Sequence, residues 1–515
     1  MDYLLNWVLR VAFIALGAGA GIWIFHWLRA NWGTATERWT VRIAAGMVVL
    51  AGLYTVAHAR LLAQRAEIEE GRERYAVFGD PRRTELRRGE VRGWMLDCTG
   101  RDEQALAFYR EQDGSIDRLY PLGEAGANFL GGGTAADERD FTIEVLFSEQ
   151  LREPRSLREL GEPHPAGRDL ALTLCRDATA VAHRNLVQAG RPGAVVVQDV
   201  RTGAILAYAA TGGPEDPPVG IKHYSPPGSV FKLALSALWW ENDLPDDIEI
   251  PCPGEIQVSE RATISNFGDI VRGTVIGPTG MLIPSCNTAA VWMALEMRRQ
   301  IGSEPFVEAY ERYGFITYPD EPPTDTTGGF WRTSSREWEE RMTPPPSRVR
   351  ISEETGDDEW AQLAIGQGPV DVTVVGISRF IQAIGNDGVM LPPTFEMELG
   401  ADPPRGERVM SEEVARKLQA AMQRVVQEGT GRSALPAVQG TGWRLGGKTG
   451  TAQVAGQADN GWFAGLLFDS SGNARFSVVA FLDGGGSGSG GPTSIAAAVA
   501  RELATNEPPL LAAPR

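Results

Sequence analysis

Lysine is nearly missing from this 515-residue chain. Of 49 basic residues only four are lysines (Lys222, Lys232, Lys417 and Lys448), and the remainder are arginine. Basic residues are also outnumbered, since 66 acidic side chains leave a formal net charge of −17. Phosphate backbones need a basic face, so this balance excludes nucleic acid as a partner. Histidine is equally sparse, and none of the five pairs with a G-x-S-x-G elbow. His26 and His58 fall in apolar N-terminal runs, which leaves a Ser-His-Asp hydrolase with only His164, His183 and His223 and no motif. The four cysteines form no CxxC, so neither a zinc site nor a redox pair is indicated. They are expected as buried small apolar residues. In an oxidising compartment two of them could pair, and their spacing does not say which.

What the chain does have begins with two apolar runs, Val11 to Leu28 and Ile43 to Ala59, each near the minimum for a bilayer span. Trp23, Trp27 and Trp32 cluster toward one end of the first, as interfacial anchors do. Arg29, Arg38 and Arg42 between the runs place that loop in the cytoplasm and both flanks outside. A cleaved signal peptide would explain one run, but there are two and no A-x-A site. Residues 1–62 are therefore expected to be a membrane anchor of one or two spans.

Residues 63–168 are charged and glycine-dotted, with short apolar stretches, and are expected to form a small extended pedestal. From 169 to 505 the pattern becomes regular. A helix is predicted over 177–189, then a hairpin from GAVVVQDVRTGAILAYAA turning at Arg201-Thr202-Gly203. A second hairpin, GWFAGLLF and ARFSVVAFL, turns at 469–473. Between them a helix is predicted over 411–427, with Ser411 as N-cap and Gly429 as its stop. Strands at both ends with helices between them predict an α+β domain whose antiparallel sheet is closed by the two chain halves and flanked by helices. The Pro/Thr/acid-rich stretch 318–358 is expected to be a loop or insertion, and 506–515 a disordered tail.

Three short segments carry chemistry. In SPPGSVFK, Ser229 opens an apolar helix and Lys232 lies one turn along the same face. A serine hydroxyl becomes a nucleophile when a base takes its proton, and lysine serves if burial or another cation lowers its pKa. Taken alone, a capped helix with a solvated lysine explains S-x-x-K more often. In IPSCNTAAVW, Ser285 could relay a proton and Asn287 could hold both the lysine and a substrate amide, although an ordinary N-cap also fits. In GGKTGTA, an edge strand would present Lys448, Thr449 and Thr451 along one face to a substrate carboxylate. Gly450 would let a peptide approach, and Lys448 near Lys232 would depress the latter's pKa. Arginine cannot serve as a base, so lysine at these two places in an arginine-dominated chain has a chemical reason.

In this order, S-x-x-K, S-x-N and K-T-G resemble the motif set of penicillin-binding proteins and class A β-lactamases. AIGQGPVDVT (364–373), RVVQEGTGRSA (424–434) and GWFAGLLF (461–468) also resemble the family's usual context, over roughly residues 169–503. RGEVRGWMLDCTGR (88–101) and RLYPLGEAGANFLG (118–131) are similar to the pedestal of its monofunctional class B members. A glycosyltransferase domain would not fit before residue 169. The resemblance implies a peptidoglycan D,D-transpeptidase at the outer face of the bacterial cytoplasmic membrane, with no metal or organic cofactor. It implies catalytic roles for Ser229, Lys232 and Ser285, and substrate contacts for Asn287, Lys448, Thr449, Gly450 and Thr451. Expected partners are peptidoglycan stem peptides, β-lactams as inhibitors and a polytopic membrane glycan polymerase. A second apolar run and Cys286 inside the second motif depart from the family pattern.

Two alternatives stand beside this. A β-lactamase or a penicillin sensor would acylate through the same residues and differ only in the fate of the acyl group. A phosphate-loop protein would explain Gly442 to Thr449 as G-x-x-x-x-G-K-[ST], but no buried strand precedes it and helix breakers come after it.

Overall fold

Both predicted hairpins form, and they meet. The computed structural model describes His26 and residues 92–508, apart from 113–114, 132–139, 153–166, 270, 319–328, 401–404 and 455. One compact unit runs over Arg92–Glu153 and Gly167–Arg515. Apart from His26, the two apolar runs lie outside the described residues, as do residues 509–515 of the expected tail. No helix among the described residues is long and apolar enough to cross a membrane.

After three short helical turns within 124–152, helix α1 (Arg176–Ala189) leads into β1 (Gly193–Asp199) and β2 (Ile205–Ala210). Later come α2 (Lys232–Glu241), α3 (Asn287–Ile301), α4 (Val374–Gly385) and α5 (Glu412–Glu428). The chain ends on β3 (Arg444–Ala452), β4 (Asn460–Phe468), β5 (Ala474–Leu482) and α6 (Gly491–Thr505). The sheet order is β3-β4-β5-β1-β2 with every pair antiparallel, so C-terminal β5 closes on N-terminal β1. Gly203, at φ 78°, supplies the left-handed residue of the first turn. In the second, the Asp469 carboxylate accepts the Ser471 and Asn473 amides.

Strand alternation sorts the sheet into two cores. Ala194, Val196, Trp462, Leu466, Val479 and Phe481 face a large core shared with α2, α3, α4 and α5. Val195, Val197, Phe463, Leu467, Val478 and Ala480 face a smaller one filled by α1 and α6. This is the period-two rule applied to strands covered on both sides. The result is a sheet between two helical layers, as the α+β expectation requires. The Ser411 hydroxyl accepts the Val414 amide and caps α5, as predicted.

One expectation needs correction and another is completed. Residues 318–358 are not only loop: Ser335 caps a helix over Arg336–Met342, and Arg348–Arg350 pairs with Ile316–Tyr318 and Val370–Asp371. Trp331, Trp338 and Met342, scattered among acids and prolines, are buried anchors, and packing overrides the polar composition. The cysteines, expected as buried small apolar residues with pairing left open, are buried and form two disulfides, Cys98–Cys175 and Cys252–Cys286. The fold brings together residues 77 and 34 positions apart, a proximity that spacing cannot reveal. In the chain-entropy model loops of this size contribute about 4 kcal/mol each. Residues 92–152 join the large core through Phe129, whose ring is 4.5 Å from Tyr208 and 4.7 Å from Phe395.

Candidate active site

Ser229 is placed by a turn that only glycine can make. Gly228 adopts φ 54°, and a Cβ there would lie 2.5 Å from the Thr451 carbonyl oxygen. The Ser229 segment therefore presses against edge strand β3. A single 3₁₀ turn, Gly228–Phe231, runs into α2, which is apolar and buried on nearly every side. Lys232 is drawn into that environment and is 0% exposed, while Ser229 is half-buried and faces a cleft of about 700 Å³.

The Lys232 ammonium donates to the Ser285 carbonyl (2.8 Å), Asn287 Oδ1 (2.7 Å) and, more weakly, Ser285 Oγ (3.5 Å). Across the cleft floor Lys448, also 0% exposed, donates to Ser285 Oγ at 2.7 Å and to the Thr449 carbonyl at 2.9 Å. Both lysines thus share one hydroxyl, and no carboxylate among the described residues pairs with either. Burial, then repulsion from Lys448, holds Lys232 well below the ordinary lysine range. Burial alone pushes Lys448 down to about 7. Ser285 has a left-handed φ of 59°, uncommon for a residue with a Cβ, which sets its hydroxyl between the two amines.

Asn287 opens α3, and its amide donates to the Ser265 carbonyl (2.9 Å) while its oxygen holds Lys232. Thr449 and Thr451 line the cleft; Thr449 shares a 2.7 Å hydrogen bond with Thr430, and Thr451 Oγ1 accepts the Gly488 amide at 3.2 Å. The predicted single face of Lys448, Thr449 and Thr451 is not formed. The pleat puts the two threonines toward the cleft, whereas Lys448 is buried against Ser285. Gly450 likewise faces inward: a Cβ there would meet the Pro227 carbonyl oxygen at 2.6 Å, so its approach partner is the turn that carries Ser229. Gly442–Thr449 runs into this edge strand rather than forming a loop that opens a helix, which removes the phosphate-loop alternative.

Sequence reasoning missed two residues that hold the second motif and the edge strand. Asn266, 5% exposed, accepts the Asn287 amide at 2.7 Å and the Thr288 amide at 3.1 Å, satisfying the orphan donors that start α3. Its own amide donates to the Pro253 carbonyl at 2.6 Å, next to Cys252, whose bridge to Cys286 fixes the same turn. No local motif marks Asn266; only the short strand before it and the Phe-Gly-Asp turn after it are visible in the sequence. Thr430, the partner of Thr449, lies within the RVVQEGTGRSA segment, but nothing in that segment singles out its hydroxyl.

A helix opened by serine, a buried lysine one turn on, and an edge strand against them define the serine–lysine class of active sites. The chain belongs to the penicillin-binding protein transpeptidase family, whose domain model matches residues 193–505. It is 29% identical over 350 residues to penicillin-binding protein PbpB of Mycolicibacterium smegmatis, covering 60% of this chain and 49% of the relative. It is 26% identical over 417 residues to the probable peptidoglycan D,D-transpeptidase PenA of Neisseria gonorrhoeae, covering 76% of this chain and 61% of that one. The chain thus spans only half to three-fifths of the length of these curated relatives. A D,D-transpeptidase domain from Eggerthella lenta has a similar structure, with a TM-score of 0.61, 25% identity and coverage of 81% of this chain and 99% of that domain.

Proposed function

We propose that this protein is a monofunctional, class B peptidoglycan D,D-transpeptidase that works through a Ser229 acyl-enzyme. One observation carries the proposal: Ser285 Oγ lies 2.7 Å from Lys448 Nζ and 3.5 Å from Lys232 Nζ, at the floor of the cleft Ser229 faces. Lys232, kept short of its proton by burial, takes the Ser229 proton as the hydroxyl attacks the carbonyl between two terminal D-alanines. The backbone amides of Ser229 and Thr451 receive the developing oxyanion, a role supported by the close approach of the Gly228 turn to Thr451. A hydroxyl accepts from one amine while donating to the other, so Ser285 carries the proton onward to the departing D-alanine. Thr449 and Thr451 take its carboxylate from the cleft side, and Lys448 supplies positive potential from beneath them. Asn287 holds Lys232 and accepts or donates to the substrate amide. An amine of a neighbouring stem then attacks the acyl-enzyme and forms the cross-link.

β-Lactams would acylate Ser229 and remain there. The apolar runs at 11–28 and 43–59 support an anchor in the bacterial cytoplasmic membrane, with this domain on the outer face and a polytopic glycan polymerase as membrane partner. The test is incubation with a stem-peptide donor and an amine acceptor, alongside a penicillin chase. Cross-linked product and a persistent adduct are expected. Rapid loss of the adduct with hydrolysis and no cross-link would replace the transpeptidase by a β-lactamase.

A further inference from the structure

A second cavity, of about 380 Å³, shares no lining residue with the Ser229 cleft. Its walls are largely apolar, with Tyr313, Phe315, Phe330 and Met390 among them, and Arg379 reaches into it from α4. Arg379 is the anomaly. Among the described residues no oxygen accepts from its guanidinium and no carboxylate pairs with it, and its Nε is sealed from solvent without a partner. The nearest ring is Phe330, 5.2 Å from Cζ. Arg379 is partly buried, with only Nε sealed, so part of its hydration is lost and the Phe330 ring is the one partner set against that loss among the described residues.

A second orphan lines the same cavity. The Ser347 hydroxyl is buried with no partner, close against the first turn of α4, where Thr373 Oγ1 already takes the Gly376 amide at 3.1 Å. Two acids bear on the site without satisfying it. Glu311 lines the cavity and is exposed, with one carboxylate oxygen accepting from the Thr317 hydroxyl and neither bonded to Arg379, and Glu407 acts on Arg379 only through space. Burial accordingly lowers the Arg379 pKa rather than an ion pair raising it.

We propose that this cavity is a binding site for a small carboxylate with an apolar substituent, separate from the catalytic cleft. Its carboxylate would take the guanidinium fork and the Ser347 hydroxyl, and its substituent would lie among Phe330, Tyr313 and Met390. One guanidinium matches a monoanion, because a planar fork binds two carboxylate oxygens side by side. The aromatic and thioether walls match an uncharged side chain. The chain's net charge of −17 works against a more highly charged anion.

The test uses the full chain with N-acetyl-phenylalanine as probe and N-acetyl-phenylalaninamide, its uncharged counterpart, as control, read by ligand-observed NMR. The acid is expected to bind at least tenfold tighter than the amide. Arg379→Gln should abolish that preference, and Ser347→Ala should weaken the acid a few-fold. Equal affinity for acid and amide, or an unchanged preference in Arg379→Gln, would overturn the site. Because the sealed Arg379 Nε has no hydrogen-bonding partner to lose, Arg379→Gln should melt at or above wild type. A variant that melts well below it would show that the arginine is satisfied by the protein itself, which also refutes the proposal. Displacement of the acid by saturating Ser229 with penicillin would refute its separateness.

Discussion

The two lysines of the cleft are alike in burial and unlike in what surrounds them. Lys232 rises from an apolar helix and meets three oxygens from the second motif, with another amine pushing on it. Lys448 hangs beneath an edge strand, bonded to one hydroxyl and one carbonyl of its own strand, and burial alone acts on it. Two depressing causes against one mean that Lys232 gives up its proton first on raising the pH. That order suits the proposed roles, with the helix lysine as the base and the strand lysine, pushed down only to about 7, keeping its charge over the wider pH range. The sharing of Ser285 makes that division of labour useful, since a proton leaving Ser229 has a short path between two amines of different basicity.

Breaking the helix side should cost most. Lys232→Met is expected to slow acylation of Ser229 by a fluorescent penicillin by about 10³-fold, the scale of a lost general base. A slowing of less than tenfold would move the base elsewhere.

On the strand side, Lys448→Met should slow acylation by about a hundredfold and move the ascending limb of its pH profile to higher pH, because the like charge that depresses Lys232 is gone. Stability should move the opposite way. With a folded pKa of about 7 against an ordinary 10.5, the unfolded chain binds the extra proton between those values. Wild-type stability therefore rises across that window by up to about 1.4 kcal/mol per pH unit from this group. The penalty is fully present below pH 7. Lys448→Met should thus raise the melting temperature most at pH 6 and hardly at all above pH 10.5, as checked by thermal melts across that range.

The supports of Ser285 and Asn287 come next. Replacing both Cys252 and Cys286 by serine should cost about 4 kcal/mol of unfolding free energy, measured in denaturant, with acylation slowed as well. Asn266→Ala leaves two amides at the start of α3 without their acceptor and should cost about 1–2 kcal/mol. Acylation should slow by about tenfold, whereas Asn266→Asp, which keeps the acceptor, should recover much of the rate. A variant that loses stability but keeps the wild-type rate would reduce Asn266 to a plain helix cap.

These parts of the molecule also differ in how far the residues alone reveal them. Four strands of the sheet were legible as apolar runs at both ends of the domain, the edge strand through its lysine motif, and α5 because Ser411, Glu412 and Gly429 mark its ends. Ser229, Lys232, Ser285 and Lys448 were legible because few other lysines compete with them and the order of the motifs is specific. The orientation of Lys448 was legible in principle, since the pleat already separates 448 from 449 and 451, yet a motif read as one unit hides that alternation. The cysteine pairs and Asn266 were not legible. Their partners lie 20 or more positions away: Cys98 meets Cys175 at the start of α1, while Cys252 and Asn266 meet the start of α3, and only the tertiary packing brings them together. The buried tryptophans of 331–342 were obscured by the acids and prolines around them.

The most direct measurement is peptide mapping by mass spectrometry after brief exposure to a penicillin. A single adduct, of one whole penicillin, is expected on the peptide carrying Ser229, absent from Ser229→Ala and nearly absent from Lys232→Met. An adduct on any other residue, or one that persists in Ser229→Ala, would contradict the assignment of Ser229 as the nucleophile.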